Sequence, residues 1–301
     1  GITGEVETLM SYSSGTSDKL FAIAGTAVYN VTSAGAVGTA ETLTAITNAR
    51  WEYVNLTTSG GSFLMMVNGT DKMRTYDGTT WAKDGDGVGY DVTGVDTSTI
   101  KNINLFASRV WLIPSTTLKA WYLPVSSKAG AANAIDLGPV ARLGGHLVTM
   151  ETWTLDAGLG MDDHAVFVTS NGEVIVYKGT DPSAVDTWSL VGVWHIGAPV
   201  GNRCAIKWGG DCLLLTRDGL VQMTQTLRMS QAESGSVSKG NSFNLTDKIA
   251  SAVTEVISLY STNFGWEMIY FAGANMLILN VPITVSGSST KVQQQYVMNT
   301  L

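Results

Sequence analysis

The densest group of carboxylates in the sequence is Asp156, Asp162 and Asp163, in the stretch LDAGLGMDDH. Carboxylate oxygens on a glycine-rich turn are ligands that Ca²⁺ prefers. The spacing does not match an EF-hand loop, however, and the stretch supplies only these side-chain carboxylates. We therefore predict a structural turn here and keep a metal site as the alternative. Asp84 and Asp86, in DGDG, offer still less for a metal ion.

The three histidines, His146, His164 and His195, lie far apart and none has a second ligand at metal-binding spacing. His164 follows Asp163 and could act as a general base. No nucleophile motif accompanies this pair, and a base without a reacting partner does no chemistry. We therefore predict a protein that is not an enzyme, with no catalytic, cofactor-binding or metal-binding residues and no cofactor.

Cys204 and Cys212 are predicted to be free thiols. The run from Cys204 to Leu215 has the pattern of a hairpin with the two-residue loop Gly209-Gly210. In that register Lys207 faces Cys212, and Cys204 faces Leu215. The two cysteines then lie on opposite faces of the sheet with Cα atoms about 10 Å apart, which is beyond the reach of a disulfide. Neither a CxxC pair nor a neighbouring histidine indicates a metal site.

Composition sets limits on the class of protein. The chain has 301 residues, of which 45% are hydrophobic and only 14% charged, with a net charge of −7. This apolar content can build a core, so a disordered chain is excluded. The negative charge, without clustered lysines and arginines, argues against general affinity for nucleic acid. No apolar run is long enough to span a bilayer. The chain starts without Met, and we expect both ends to be cut or incompletely built.

The stretch Asp163–Trp194 indicates how these residues are positioned. An apolar run, Ala165–Thr169, is followed by a tight turn at Ser170-Asn171-Gly172 and by the alternating run Glu173–Tyr177; a third strand begins near Trp188. Asn-Gly between two apolar runs is the strongest short-range hairpin signal, because both residues tolerate the positive φ of a type I′ turn. The stretch is typical of one blade of a β-propeller.

The same hairpin pattern recurs along the chain. The six first strands begin at residues 20, 63, 110, 165, 213 and 268. Their second strands are Val28–Val31, Met73–Tyr76, Lys119–Leu123, Glu173–Tyr177, Val221–Thr224 and Met276–Val281. A repeat of about 40–50 residues with several short strands is the signature of a β-propeller.

We therefore predict an all-β fold: a β-propeller of about six or more four-stranded blades, forming a single domain over residues 1–301. Flanking strands complete the blades at Trp51–Leu56, Ile100–Phe106 and Ala205–Trp208. The last blade, ending with the strand at 293–301, lacks a fourth strand, so we expect the domain to be incomplete at the C-terminus. A two-sheet sandwich also has short strands at regular spacing and is the alternative fold.

Two segments interrupt the repeat. Residues 83–98 form a loop rich in Gly and Asp, and residues 228–243 contain almost no apolar side chains, so we expect a flexible inserted loop at 228–243. An inserted helix follows at 246–260. Its apolar residues recur every three to four positions, with Thr246 as a plausible N-cap. These apolar positions are Leu245, Ile249, Val253, Val256, Ile257 and Tyr260.

A propeller that acts on glycans is the competing functional class. Sialidases carry an arginine cluster and repeated Ser-x-Asp-x-Gly-x-x-Trp turns. The turn Asp77-Gly78-Thr79-Thr80-Trp81 resembles these only faintly, being one residue short and not repeated intact. The seven arginines, at 50, 74, 109, 142, 203, 217 and 228, show no pattern of a site. The nine tryptophans could line a sugar groove, but we expect them to pack between blades.

Several long phrases resemble a known family. They are FLMMVNGTDKMRTYDGTTW, KAWYLPVSSKAG, WTLDAGLGMDDHAVFVTSNGEVIVYKGTDPSAVDTWSLVGVWHIGAPVGNRC and MLILNVP…QQYVMNTL. These phrases are similar to the tail-hub, or nozzle, proteins of short-tailed bacteriophages, which are also described as phage stabilisation or structural proteins. The resemblance runs from about Leu20 to the end of the chain.

The resemblance implies a structural virion protein. Such tail proteins are built around a β-propeller and assemble as a ring, typically a hexamer, below the portal and adaptor. The ring surrounds the channel for DNA ejection, so DNA would pass without sequence-specific binding and without membrane insertion by this chain. An acidic or neutral wall would let DNA slide, because a basic wall holds it by releasing counterions. A secreted β-propeller glycan-binding protein or glycosidase remains the alternative function.

Overall fold

The computed structural model describes residues 1–43, 45–87, 89–156, 161–184, 186–228, 245–284 and 291–300. It is nearly all β, with 49% strand and 9% helix. The chain divides into two compact units, unit 1 over Gly1–Asp136 and unit 2 over Leu137–Leu301. That both belong to a single propeller domain stays a prediction.

Unit 1 contains three antiparallel sheets and one short parallel pair of strands. Sheet I consists of β1 (Val6–Tyr12), β2 (Lys19–Ala24) and β3 (Ala27–Asn30). Sheet II consists of β4 (Glu52–Thr58), β5 (Gly61–Val67), β6 (Arg74–Tyr76) and β7 (Trp81–Lys83). The parallel pair is β8 (Val92–Thr93) with β12 (Gly130–Ala131). Sheet III consists of β9 (Ile100–Phe106), β10 (Arg109–Pro114), β11 (Lys119–Tyr122) and β13 (Asn133–Asp136).

Unit 2 contains three further antiparallel sheets and two helices. Sheet IV consists of β14 (Leu147–Asp156), β15 (Met161–Thr169), β16 (Glu173–Gly179) and β17 (Trp188–His195). Sheet V consists of β18 (Ala205–Trp208), β19 (Asp211–Thr216) and β20 (Gly219–Gln222). Sheet VI consists of β21 (Glu267–Phe271), β22 (Met276–Thr284) and β23 (Lys291–Asn299). The helices are α1 (Met223–Arg228) and α2 (Ala250–Tyr260).

The predicted fold class is confirmed, since each of the six predicted hairpins is present as a pair of neighbouring strands in an antiparallel sheet. The strand count needs a correction for sheets I and V, which have three described strands rather than four, whereas three strands in sheet VI agree with the prediction of an incomplete last blade. In sheet V, α1 takes the place of a fourth strand. Leu245 then covers the outer edge of β20, donating its amide to the Leu220 carbonyl at 2.9 Å. A loop therefore satisfies backbone groups that a strand would otherwise pair.

The turn at Asn171-Gly172 joins the predicted strands, but it is not type I′. Only Gly172 of the two has a positive φ, at 86°. The Gly172 amide donates to the Thr169 carbonyl at 3.1 Å, as in a type I turn followed by a left-handed glycine. A type I′ geometry occurs instead at Ala107-Ser108, between β9 and β10, where φ is 49° and 57°. Alanine and serine are not residue types that predict a type I′ turn.

Large aromatic side chains fill the cores of both units. Trp51, Trp111 and Trp153 are fully buried. The Trp153 indole of sheet IV packs in one cluster with Cys212 and Leu214 of sheet V. Its Nε1 also donates to the Gly210 carbonyl at 3.2 Å. Trp153 therefore packs between neighbouring sheets, as predicted for the tryptophans.

The inserted helix begins later than predicted. A 3₁₀ turn covers Asp247–Ile249 and α2 starts at Ala250. Thr246 makes no cap bond, because its hydroxyl accepts the Leu220 amide at 3.3 Å. The helical face is only partly buried: Val253, Val256 and Ile257 join the core of unit 2, while Ile249 is 42% exposed. The loop predicted at 228–243 lies outside the described residues, apart from Arg228, which ends α1.

The cysteine hairpin has the predicted register. Lys207 pairs with Cys212, and the Leu215 amide donates to the Cys204 carbonyl at 2.7 Å. Both cysteines are free and buried. Burial raises the pKa of the Cys212 thiol well above its usual value.

Candidate functional site

The parallel pairing of β8 with β12 brings two loops of unit 1 together. Gly130 pairs with Val92, and the Gly130 amide donates to the Asp91 carbonyl at 2.8 Å. Because parallel strands keep a constant register, the residues two positions earlier in each segment also lie abreast. Those residues are Tyr90 and Lys128.

The Lys128 ammonium lies over two aromatic rings. Its nitrogen is 3.5 Å from the centre of the Tyr90 ring and 4.3 Å from that of Phe63. Phe63 comes from β5 and is 7% exposed, so its ring is held by the surrounding core and contacts Lys128 from a buried position. Ring faces carry negative charge and attract a cation. The loop after β11 is therefore held onto sheet II by a charge–ring contact.

Asp77 fixes the tyrosine. Its Oδ2 accepts the Tyr90 hydroxyl at 3.2 Å, and its Oδ1 accepts the amides of Thr79 and Thr80 at 2.9 and 2.8 Å. Burial raises the pKa of Asp77, but the hydrogen bonds from Thr80, Thr79 and Tyr90 outweigh it and lower the pKa overall. Desolvation, together with the Asp77 charge, raises the pKa of Tyr90. Asp77 is thus a carboxylate and Tyr90 a neutral phenol at neutral pH.

These groups line an open cleft of about 500 Å³. The lining includes Thr58, Phe63, Asp77, Tyr90, Ser126 and Lys128. Desolvation lowers the pKa of Lys128, and Asp77 opposes this only in part. Within the described residues the Lys128 ammonium has no hydrogen-bond acceptor and no ion-pair partner. The cleft therefore presents a positive charge with unused donors, surrounded by hydroxyl groups.

The serine loop that lines the cleft, Ser126-Ser127, has a constrained backbone. Ser126 has a φ of 51°, a conformation uncommon for residues other than glycine. Its amide donates to the Ser108 carbonyl at 2.7 Å, in the type I′ turn between β9 and β10. The Ser127 hydroxyl donates to the Ala129 carbonyl at 2.6 Å. These bonds hold the serine loop in one arrangement beside Lys128.

Sequence reasoning singled out two residues of this cleft, Asp77 and Thr79, as part of a faint resemblance to a sialidase turn. It missed Tyr90 and Lys128, because the first lay in a loop rich in Gly and Asp and the second in an ordinary connection. The available signal was the single lysine in a run of small residues, SSKAGAA, downstream of an aromatic strand. That signal says nothing of the partner ring.

The carboxylate stretch considered for a metal forms the end of a long hairpin. Asp163 is exposed and accepts the Thr154 hydroxyl at 2.7 Å across the β14–β15 pair. His164, the next residue, points to the other face and packs on the Trp153 ring, with centres 5.2 Å apart. Asp163 and His164 therefore form no acid–base pair. The side chains of Asp156 and Asp162 lie outside the described set.

Other candidates serve the fold. Asp84 is buried and accepts the Val92 amide at 2.8 Å and the Thr97 hydroxyl at 2.6 Å, which positions β8. His195 Nε2 lies 3.4 Å from Oε1 of the fully buried Glu173. Among the described residues, no group of three or more His, Cys, Asp or Glu could hold a metal ion. In the same part of the chain, no helix is long and apolar enough to cross a membrane.

The arginines are dispersed, as the sequence suggested. Arg50 pairs with Glu7 at 2.9 Å, and Arg203 pairs with Glu267 at 3.1 Å. Arg74 is buried, and one of its terminal nitrogens donates to the Ala45 carbonyl at 3.1 Å. Each of these three arginines thus has a different partner, Glu7, Glu267 or the Ala45 carbonyl.

Comparison with known proteins places the chain among weakly similar structures. No protein-family model and no curated protein sequence matches it. Apo AztD from Citrobacter koseri aligns with 93% of this chain and 81% of its own, at 13% identity and a TM-score of 0.47. BBS1N, in complex with ARL6DN, aligns with 71% of this chain and 63% of its own, at 14% identity and a TM-score of 0.46.

A third similar structure is the extracellular domain of the BT4673 one-component system from B. thetaiotaomicron. It aligns with 92% of this chain but only 37% of its own length, at 12% identity and a TM-score of 0.41. The chain thus spans less than two thirds of BBS1N and of BT4673. At these scores the likenesses carry no argument about activity or partners.

Proposed function

We propose that the chain is a non-catalytic structural protein that assembles with copies of itself through sheet VI into a ring. We further propose that this ring is the nozzle or hub of a bacteriophage tail, in contact with the portal and adaptor. The proposal is supported by the resemblance of several long phrases to tail-hub proteins. The observation that carries it is the apolar outer face of sheet VI.

That face is a row of apolar side chains across three strands. Ile269 pairs with Ile278, and Ile278 pairs with Val297. Ile269 is 40% and Val297 58% exposed. Phe271, two residues along β21, is 55% exposed. An exposed apolar row of this kind is typical of an interface between proteins.

The other face of the sheet is already used. Leu277 and Leu279 alternate with the exposed residues of β22 and are buried in the core cluster that includes Val253 and Ile257 of α2. The alternation of period two leaves the outer residues with no role in that core. Within the described chain, β23 pairs with the single strand β22 and is therefore an edge strand, which is where another chain can add to a sheet. Face and edge together supply apolar area and hydrogen bonds for a second copy.

The net charge of the subunit suits a ring that surrounds DNA. A subunit with a net charge of −7 would line a channel that repels the DNA backbone, so DNA would pass without being held. Low overall charge also suits a surface shared between subunits, since interface cores are depleted in charge. The protein would then reside in the virion and need no cofactor.

Native mass spectrometry of the full-length protein tests the proposal. We expect a closed oligomer, with six copies as the leading stoichiometry. The substitution Val297→Lys should weaken the oligomer by more than about tenfold, because a charge enters the apolar row. Val125→Lys is the matched control, since Val125 is 55% exposed in unit 1. A protein that stays monomeric alone and with its tail partners would refute the proposal, as would equal assembly of both variants.

A further inference from the structure

We infer that the cleft formed by Phe63, Tyr90 and Lys128 binds an acidic saccharide, a hexose-sized polyol that carries one carboxylate or phosphate group. The anionic group would lie on the Lys128 ammonium, and the sugar hydroxyls would face the hydroxyl groups of the wall. This inference concerns one subunit and does not depend on the ring proposed above.

The hydrogen bonding of the Lys128 ammonium favours an anionic ligand. Three N–H donors of Lys128 find ring faces but no acceptor among the described residues. Desolvation lowers the pKa of Lys128, and the Asp77 charge opposes this only in part. A bound oxyanion supplies both the missing acceptor and the missing opposite charge. The site is therefore complementary to an anion in charge and in hydrogen bonding.

The charged side chains that line the cleft favour a ligand with a single anionic group. Lys128 is the only cation that lines the cleft as described, and the Asp77 carboxylate also lines it. A polyanion such as a nucleic acid backbone needs a series of cations, and the nearby carboxylate would repel it. A single anionic group fits one ammonium while keeping its distance from Asp77. The ligand is thus a monoanionic group on a larger, otherwise neutral body.

The hydroxyl-bearing residues that line the cleft favour a polyol. Thr58, Thr79, Ser126 and Ser127 line the cleft, where the hydroxyls of Thr58 and Ser127 donate to the carbonyls of Gly61 and Ala129 and could still accept from a ligand. Hydroxyls donate and accept, as sugar hydroxyls do, so such a wall suits a polyol. The inner ring faces of Phe63 and Tyr90 are occupied by Lys128, so they offer no bare platform for a planar base. A volume of about 500 Å³ is within the usual range for small-molecule sites.

Titration calorimetry on the full chain with four probes tests the assignment. The probes are glucuronate, glucose 6-phosphate, glucose and inorganic phosphate. We expect at least one acidic sugar to bind with a dissociation constant of about 1 mM or tighter. Glucose and inorganic phosphate should each bind at least ten times more weakly. The two acidic probes distinguish a carboxylate from a phosphate as the preferred group.

Substitutions then locate the site. Lys128→Gln should weaken the acidic sugar at least tenfold, whereas Lys128→Arg keeps the charge and should retain most of the affinity. Lys119→Gln is the matched control, because Lys119 is an exposed lysine on β11 of the same unit. Equal affinity of the Lys128→Gln variant and the wild type would overturn the inference.

A second measurement covers the case in which Lys128→Gln does not fold. In the wild-type protein labelled with ¹³C-lysine, saturating acidic sugar should raise the pKa of Lys128, because an anion favours the charged form. An unchanged Lys128 pKa, no binding of either acidic sugar at about 10 mM, or inorganic phosphate binding as tightly as the sugar phosphate would each overturn the inference.

Discussion

Lys128 and Tyr90 lie abreast, with the ammonium 3.5 Å from the ring centre, because β12 and β8 pair in parallel two residues further along. Two strands of two residues each thus determine the geometry of the cleft. The contact depends on the backbone around Gly94, where the chain leaves β8 beside β12. A substitution at Gly94 should therefore alter the geometry of the cleft, although Gly94 does not line it.

Gly94→Ala is expected to open the β8–β12 pair. Gly94 has a φ of 91°, and an added Cβ would lie 2.7 Å from the Ala132 carbonyl oxygen. Hydrogen exchange of the Gly130 and Ala132 amides, which donate to Asp91 and Thr93, should become faster than in the wild type. Gly85→Ala is the control, since Gly85 has a φ of 95° but open space around it. Equal exchange in both variants would show that the close approach is harmless.

This dependence explains which parts of the molecule could be predicted from sequence. The β15–β16 hairpin could be predicted because its signal, Asn171-Gly172 between apolar runs, is local. The pairing of Val92 with Gly130 could not, because strands of two residues have no periodicity and their partners are far apart in the chain. The same limit hid the cleft, since Tyr90 and Lys128 become neighbours only through that pairing.

The missing fourth strands have a similar origin. After β20, the run MTQTLR forms α1, although Val221–Thr224 was predicted to be a single strand. Methionine, glutamine, leucine and arginine favour a helix, and tertiary context decides where the strand ends. The edge of β20 is then covered by Leu245 and Thr246. Such a replacement is decided by packing and leaves no motif in the sequence.

The Asp77 turn should become less stable in acid. The hydrogen bonds of its carboxylate lower the folded-state pKa below the unfolded value of about 3.9. The group therefore contributes stability that is present above about pH 4 and is lost as the pH falls through the lower folded pKa. We expect hydrogen exchange of the Thr79 and Thr80 amides, corrected for intrinsic rates, to accelerate over that interval.

Asp77→Asn provides the comparison for this pH dependence. The amide does not titrate, so the acceleration below about pH 4 should disappear in the variant. Asp18→Asn, which changes an exposed carboxylate that accepts the Ser13 hydroxyl, is the control and should behave like the wild type. An acid response that survives in Asp77→Asn would assign it to another carboxyl group.

The two thiols should be unreactive in the folded protein. Cys204 is 1% and Cys212 0% exposed, and burial raises the pKa of Cys212, so little thiolate is available. A thiol reagent at pH 7.5 should label neither residue within the time that labels both in denaturant without reductant. Recovery of a peptide that links Cys204 to Cys212 would contradict the hairpin register.

Glu173 holds the loop before sheet IV, and its neutral analogue should release that loop. Glu173 is fully buried, and its two oxygens accept the amides of Arg142 and Leu143 at 2.7 and 2.8 Å. In Glu173→Gln, one oxygen becomes an NH₂ group that faces an N–H donor, so a buried donor loses its acceptor. We expect a loss of about 3 kcal/mol in the free energy of unfolding of unit 2, measured by urea denaturation.

The order in which amides lose protection distinguishes the loss of a hydrogen bond to Glu173 from a general effect of the lost charge. Hydrogen exchange of one of the Arg142 and Leu143 amides should accelerate first, before the strands of sheet IV lose protection, because the donor that faces the new NH₂ group loses its acceptor directly. Glu255→Gln removes the same charge on an exposed turn of α2 and should change the unfolding free energy by less than about 0.5 kcal/mol. If Glu173→Gln were equally mild, the loop would have to be held by its other bonds, such as those from the Asn171 amide group to the Leu143 carbonyl and from the Ser170 amide to the His146 carbonyl, each at 2.8 Å.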